Sequence, residues 1–169
     1  MELNKELINL IKELETKIKN PKIGLPENFF LFLTRVTPMI NVDLLIKNRK
    51  KETLLTWRQS GERYPAGWHV PGGIIRFKEK AINRVNKVAK LELGCSVSSY
   101  PKPIFINEIF LKQLNRSHFV SLLYKCTLKT KPDIRLQYKS GQPKPGQWMW
   151  HNKCPKNIIK PHKIYKKFL

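Results

Sequence analysis

Two glutamates, Glu79 and Glu92, stand in a stretch from Gly67 to Cys95 that holds no other acid. Carboxylates are the side chains that hard divalent cations such as Mg²⁺ prefer, and few protein donors suffice when phosphate supplies the rest. Just upstream lies Val-Pro-Gly-Gly, 70–73. A paired-glycine turn lets backbone approach a ligand without a Cβ in the way. Glu92 follows Val88 by one helical turn, which sets it at the edge of a buried face. An acid at that end of a helix is poorly placed against the dipole, which favours a cation partner. Glu79 sits near the helix start, where an acid is favourable in itself, so a capping or loop-fixing role is expected for it.

Arginine at Arg58 and Arg76 could grip phosphate oxygens through two parallel N–H bonds. Lys87 could neutralise charge without that fork. Asp43 could orient an arginine or contact a substrate. The histidines His69, His118 and His151 are candidate bases, each with a structural role as the default reading.

These residues need a scaffold. Leu7, Ile8, Leu10, Ile11, Leu14 and Ile18 recur at helical spacing, and Asn20-Pro21 ends that helix. A second short helix is expected after Pro26. Ile40, Val42, Leu44 and Ile46 alternate, which predicts a strand. ETLLTWRQ predicts another, SGERYPAG a loop, and WHVPGG a short strand running into a tight glycine turn. A helix is expected over Glu79–Leu93, stopped by Gly94. Strands follow over PIFINEIFLKQL and HFVSLLYKCTLK, then a loop rich in Pro, Gly and Lys, a strand over QWMWHN, and a closing helix over CPKNIIKPHKIYKKFL. Helices and strands that do not strictly alternate predict an α+β fold or a mixed-sheet sandwich. Trp57, Trp68, Trp148 and Trp150 are expected mainly in the core.

Composition narrows the partners. The 169 residues carry 33 Lys plus Arg against 12 Asp plus Glu, a net charge of +21. Polyanionic ligands are therefore favoured, whether nucleotides or nucleic acid. Three cysteines without C-x-x-C spacing support neither a zinc site nor a disulfide framework, and fit a reducing cytoplasm. No apolar run is long enough to span a bilayer, and the acids of the first helix argue against a membrane surface.

The spacing Gly73-x5-Glu79-x7-Lys87, followed by Val88, Ala89, Leu91, Glu92, Gly94 and Cys95, resembles the Nudix box, G-x5-E-x7-R-E-U-x-E-E-x-G-U. Lys87 stands for the arginine, and Val88 and Leu91 stand for two of the glutamates. From about Thr37 to the C-terminus the chain resembles the GDP-mannose mannosyl hydrolase branch, whose boxes also lack those two acids. The resemblance rests on TPMINVDLL with Asp43, Trp57-Arg58, GWHVPGG, LELG, and His118-Phe119. It implies a Nudix-like mixed β-sheet sandwiched between helices over 37–169, with residues 1–36 as an N-terminal helical extension. It implies a hydrolase dependent on Mg²⁺ (or Mn²⁺) that cleaves a nucleoside diphosphate sugar at the anomeric carbon. Glu92, Arg58 and Asp43 would be catalytic. Gly72, Glu92 and Gln142 would hold the metal. Arg58, Arg76, Lys87 and Phe119 would bind substrate. Ile74 and Ile75 intervene before Arg76, a shift of two that keeps one strand face. The family's Gln-His pair in the late loop would be Gln142 and Pro143, and proline cannot take a proton; with the gap placement open, Lys144 and Pro145 are the other candidates. The competing reading is a catalytically weakened Nudix-fold protein that binds a nucleotide sugar or RNA. The N-terminal helices could serve as an arm onto a second subunit, although burial within the monomer is an equal alternative.

Overall fold

The structure, a computed structural model, describes residues 2–61 and 65–169, with side chains from residue 4 onward. The expected loop over 60–67 thus lies partly outside the described residues. Two helices open the chain, α1 (Glu2–Lys17) and α2 (Glu27–Val36). Pro26 immediately precedes α2 with φ −52°, a geometry its ring imposes.

Among the described residues eight strands follow: β1 (Met39–Ile46), β2 (Thr53–Arg58), β3 (Gly67–His69), β4 (Gly72–Ile74), β5 (Val97–Ser99), β6 (Phe105–Phe110), β7 (His118–Leu128) and β8 (Trp148–His151). Between β4 and β5 runs α3 (Ala81–Leu93). The larger sheet has the order β4-β1-β7-β5, with β6 also on β7. Its β1–β7 pair is parallel, with Asp43 opposite Leu123, and its other pairs are antiparallel. The smaller sheet has the order β3-β2-β8.

Alternation along β1 divides the core in two. Val42, Leu44 and Ile46 face a cluster that includes Leu54, Val85, Val88, Ala89, Leu93 and Trp148, so α3 covers this side. Leu45 joins Leu55, Trp68, Val70, Leu123 and Tyr165 on the other. The period of two therefore sends Asp43 away from the α3 side. The tryptophans lie as expected: Trp68 and Trp148 are buried, Trp57 and Trp150 half-buried.

Three elements differ from the sequence expectation. Gly72 and Gly73 do not form a turn but begin β4, paired with Asp43 and Val42. Neither has a positive φ. Glycine is needed here for close approach. A Cβ on Gly72 would run into the Asp43 carboxylate, and one on Gly73 would come within 2.9 Å of Val88 Cγ2. β5 was not foreseen, because three residues carry too little pattern to register. The closing helix is a 3-10 helix, Lys160–Phe168, with Pro161 in its first turn, and it packs Tyr165 into the core. Gly94 ends α3 as expected, in the left-handed conformation at φ 62°.

Candidate functional site

The site grows from α3. Its first turn is preceded by Glu79, whose side chain is only 8% exposed. Glu79 Oε2 accepts from the Arg76 amide at 3.0 Å and from Arg84 Nε at 2.7 Å, while Lys87 Nζ lies 3.0 Å from Oε1. Burial pushes this carboxyl up. The Arg76 amide, Lys87 and Arg84 outweigh it, so the net shift is downward. Glu79 therefore fixes the loop into α3, the role its place near the helix start suggested. Lys87 is committed to Glu79 and lies outside the pocket described below. Buried Arg84 supplies the planar guanidinium that Lys87 lacks.

Glu92, at the other end of α3, has different surroundings. Its side chain is 29% exposed. Oε1 accepts from the Gly72 amide and Oε2 from Thr56 Oγ1, both at 3.3 Å. These are long bonds. Burial pushes the Glu92 carboxyl up to about 7, against the pull of the Gly72 amide, Arg58 and Thr56. His69 Nε2 lies 3.8 Å from Glu92 Oε2 and 3.1 Å from Thr56 Oγ1. Burial, reinforced by His162 and Arg58, holds His69 well below the usual histidine range, so its ring is neutral at pH 7.

Beside Glu92 opens a pocket of about 100 Å³, lined by residues including Asp43, Arg58, His69, Gly72, Arg116 and Phe119. It is small against the ~300–1,000 Å³ of pockets that enclose drug-sized ligands, so a nucleotide sugar would lie partly outside it. Its wall is built from three distant parts of the chain. Asp43, on β1, is fully buried. It accepts from Asn41 Nδ2 at 3.1 Å and, through its other oxygen, from Ser121 Oγ and the Tyr165 hydroxyl. His162, from the C-terminal 3-10 helix, accepts the Val70 amide at Nδ1, 2.9 Å away. With Nδ1 accepting, the neutral ring carries its proton on Nε2. Arg116 reaches the pocket from the β6–β7 connection, where its amide donates to Thr34 Oγ1 of α2 at 3.0 Å.

Of the sequence-predicted residues, Asp43, Arg58, Gly72 and Phe119 line one pocket, and Glu92 is hydrogen-bonded to its Gly72 wall. Arg76 is placed elsewhere: its guanidinium donates to the Ile23 carbonyl in the α1–α2 connection. The shared strand face expected for it does not arise, because β4 ends at Ile74, and the approach of Ile23 captures the side chain. Gln142 is exposed in the loop before β8 and does not line the pocket. His118 stacks on Phe110 at 4.4 Å, and His151 packs edge-on against Trp68 at 4.7 Å, both structural roles. Sequence reading passed over Asn41, Arg116, Ser121, His162 and Tyr165. For Asn41 the signal was present, since it lies two residues before Asp43 on one strand face. The others arrive by long-range pairing and leave no local pattern.

Among the described residues, no group of three or more His, Cys, Asp and Glu side chains could hold a metal ion. A cation would therefore rest on Glu92, backbone oxygen and oxygens brought by a ligand. The donor set suits that arrangement. Glu92 is a half-buried carboxylate on two long bonds, and a positive ion would relieve the burial that raises its pKa.

No family model matches the sequence, nor does any characterised protein. Solved structures do resemble it. A MutT Nudix hydrolase from Burkholderia pseudomallei superposes with a TM-score of 0.58 at 16% identity, over 79% of this chain and 98% of that one. The MutT protein from Methanosarcina mazei gives 0.56 at 17% identity, over 78% and 94%. A UDP-X diphosphatase gives 0.55 at 18% identity, over 98% of this chain and 76% of its own, so this match runs on through the N-terminal helices. At such identities the likeness is one of fold, and the chain has the Nudix α+β sandwich.

Proposed function

We propose that this chain is a Nudix-type hydrolase of a nucleoside diphosphate sugar, GDP-mannose-like, that works with Mg²⁺ or Mn²⁺. The observation that carries the reading is the meeting of Glu92 with Gly72 at a pocket that also presents Asp43 and Arg58. A diphosphate needs its charge neutralised before water can displace it from the anomeric carbon, and a bound divalent cation supplies that neutralisation. Glu92 and the Gly72 backbone would hold the ion. Arg58 would take phosphate oxygens by paired N–H bonds. Asp43 is saturated by Asn41, Ser121 and Tyr165, so its part is to stiffen the pocket floor beneath Gly72. Phe119 offers an apolar ring to the sugar or base. Arg76, Lys87 and Gln142 would meet substrate only after moving from their present places.

The second reading, a weakened protein that binds a nucleotide sugar or RNA, is favoured by the degraded box. Leu91 is 77% exposed where the box has a glutamate, and Val88 is buried in the core at the other such position. A panel of nucleoside diphosphate sugars with Mg²⁺, scored separately for free sugar and for sugar phosphate, decides between them. Free sugar supports glycosyl hydrolysis, whereas sugar phosphate means cleavage between the phosphates. Saturable binding with neither product supports the weakened protein. For RNA, affinity falling steeply with salt would mark contact with many phosphates.

A further inference from the structure

Every described side chain of α1, from Asn4 to Lys17, is exposed. Leu7, Leu10, Ile11 and Leu14 are 42–55% exposed, although at 100° per residue all four fall on one stripe. A lone helix of 16 residues is marginal in water, so α1 needs a cover for this stripe. Its charge points to the occupant. Within a chain of net +21, α1 holds Lys5, Lys12 and Lys17 against Glu2, Glu6, Glu13 and Glu15. Three against four leaves the helix near neutral and slightly acidic, which suits neither an anionic membrane nor nucleic acid, and sets little charge against self-association.

The stripe also reads the same from both ends, with steps of three, one and three. We propose that α1 is a dimerisation helix that pairs antiparallel with α1 of a second copy of this chain. A two-fold axis between Leu10 and Ile11 then sets Leu7 against Leu14 of the second copy, and Leu10 against Ile11. A self-complementary patch of this kind is what a two-fold interface requires. The flank that carries Glu6 and Lys17 meets its own reverse, so Glu6 falls near Lys17 of the second copy.

Sedimentation equilibrium of the full chain tests the proposal. The wild type should be a dimer, Leu10→Glu/Ile11→Glu should be a monomer, and Asn9→Glu, on the opposite face, should stay dimeric. A monomeric wild type, or a dimer that survives the double substitution, overturns it. Near-UV dichroism of the four tryptophans, all within 57–150, reports whether the body remains folded. Should the double variant fail to fold, oxidative cross-linking in a Cys154→Ser background keeps the test sharp. A mixture of Leu7→Cys and Leu14→Cys chains should cross-link, and Leu7→Cys alone should not. The reverse outcome overturns the antiparallel arrangement.

Discussion

The two ends of α3 carry the same residue type in opposite electrostatic states. Glu79 is enclosed by Arg84, Lys87 and a backbone amide, and its carboxyl is pulled down. Glu92 has two long hydrogen bonds and the neutral ring of His69, and its carboxyl is pushed up to about 7. A charge satisfied within the chain belongs to folding. A half-buried charge left under-satisfied beside a pocket is available for a ligand. Box position alone would have treated the two as equals; their surroundings divide them.

Substitutions can break that contrast. Glu92→Gln should lower cation-dependent turnover by ~1,000-fold, about 4 kcal/mol of transition-state stabilisation, in a steady-state assay of the active substrate. Glu79→Gln should act on folding instead. It leaves Arg84 buried without its counter-ion and should cost about 3 kcal/mol in urea unfolding. The unliganded Glu92→Gln protein should show no such loss. A carboxyl raised from 4.5 to about 7 binds more protons folded than unfolded, so its contribution falls as pH rises across that window. Glu92→Gln removes this fall and should be at least as stable as wild type at pH 8.

Smaller changes sharpen the pocket's description. Tyr165→Phe removes one hydroxyl from Asp43 and should cost about 1 kcal/mol by the same unfolding measurement. His151 gives the smallest effect at neutral pH. Burial holds it at about 4 against an ordinary 6.5, so the unfolded chain binds the extra proton between those values. Stability from this group is whole above about 6.5 and lost as pH falls towards 4. His151→Phe should flatten that acid loss by roughly 2 kcal/mol in melts recorded from pH 7 to 4.

Much of this was legible in the residues. The alternation of Val42, Leu44 and Ile46 marked β1, whereas the paired glycines, expected to turn towards a ligand, instead form β4 and lie close against Asp43 and Val88. The helix spacing put Glu92 at the rim of the buried face. The C-terminal contribution was not legible. His162 lies 92 residues from Val70 and Tyr165 122 from Asp43, and although a closing helix was expected there, nothing in its residues marks which distant groups it meets. Arg76 misled for a related reason. It lies past the end of β4 and not on the strand face expected for it, and the chain segment that claims it, at Ile23, is joined by no local pattern.

The most direct test follows the carboxyl carbons of both box glutamates by NMR on ¹³C-glutamate-labelled protein, with Glu79→Gln and Glu92→Gln spectra for assignment. Without ligand, Glu92 should titrate near 7 and Glu79 below the ordinary carboxylate value. Mg²⁺ with a nucleoside diphosphate should then lower the Glu92 midpoint and leave Glu79 where it was. A Glu92 midpoint near 4.5, unmoved by cation and diphosphate, would contradict the account.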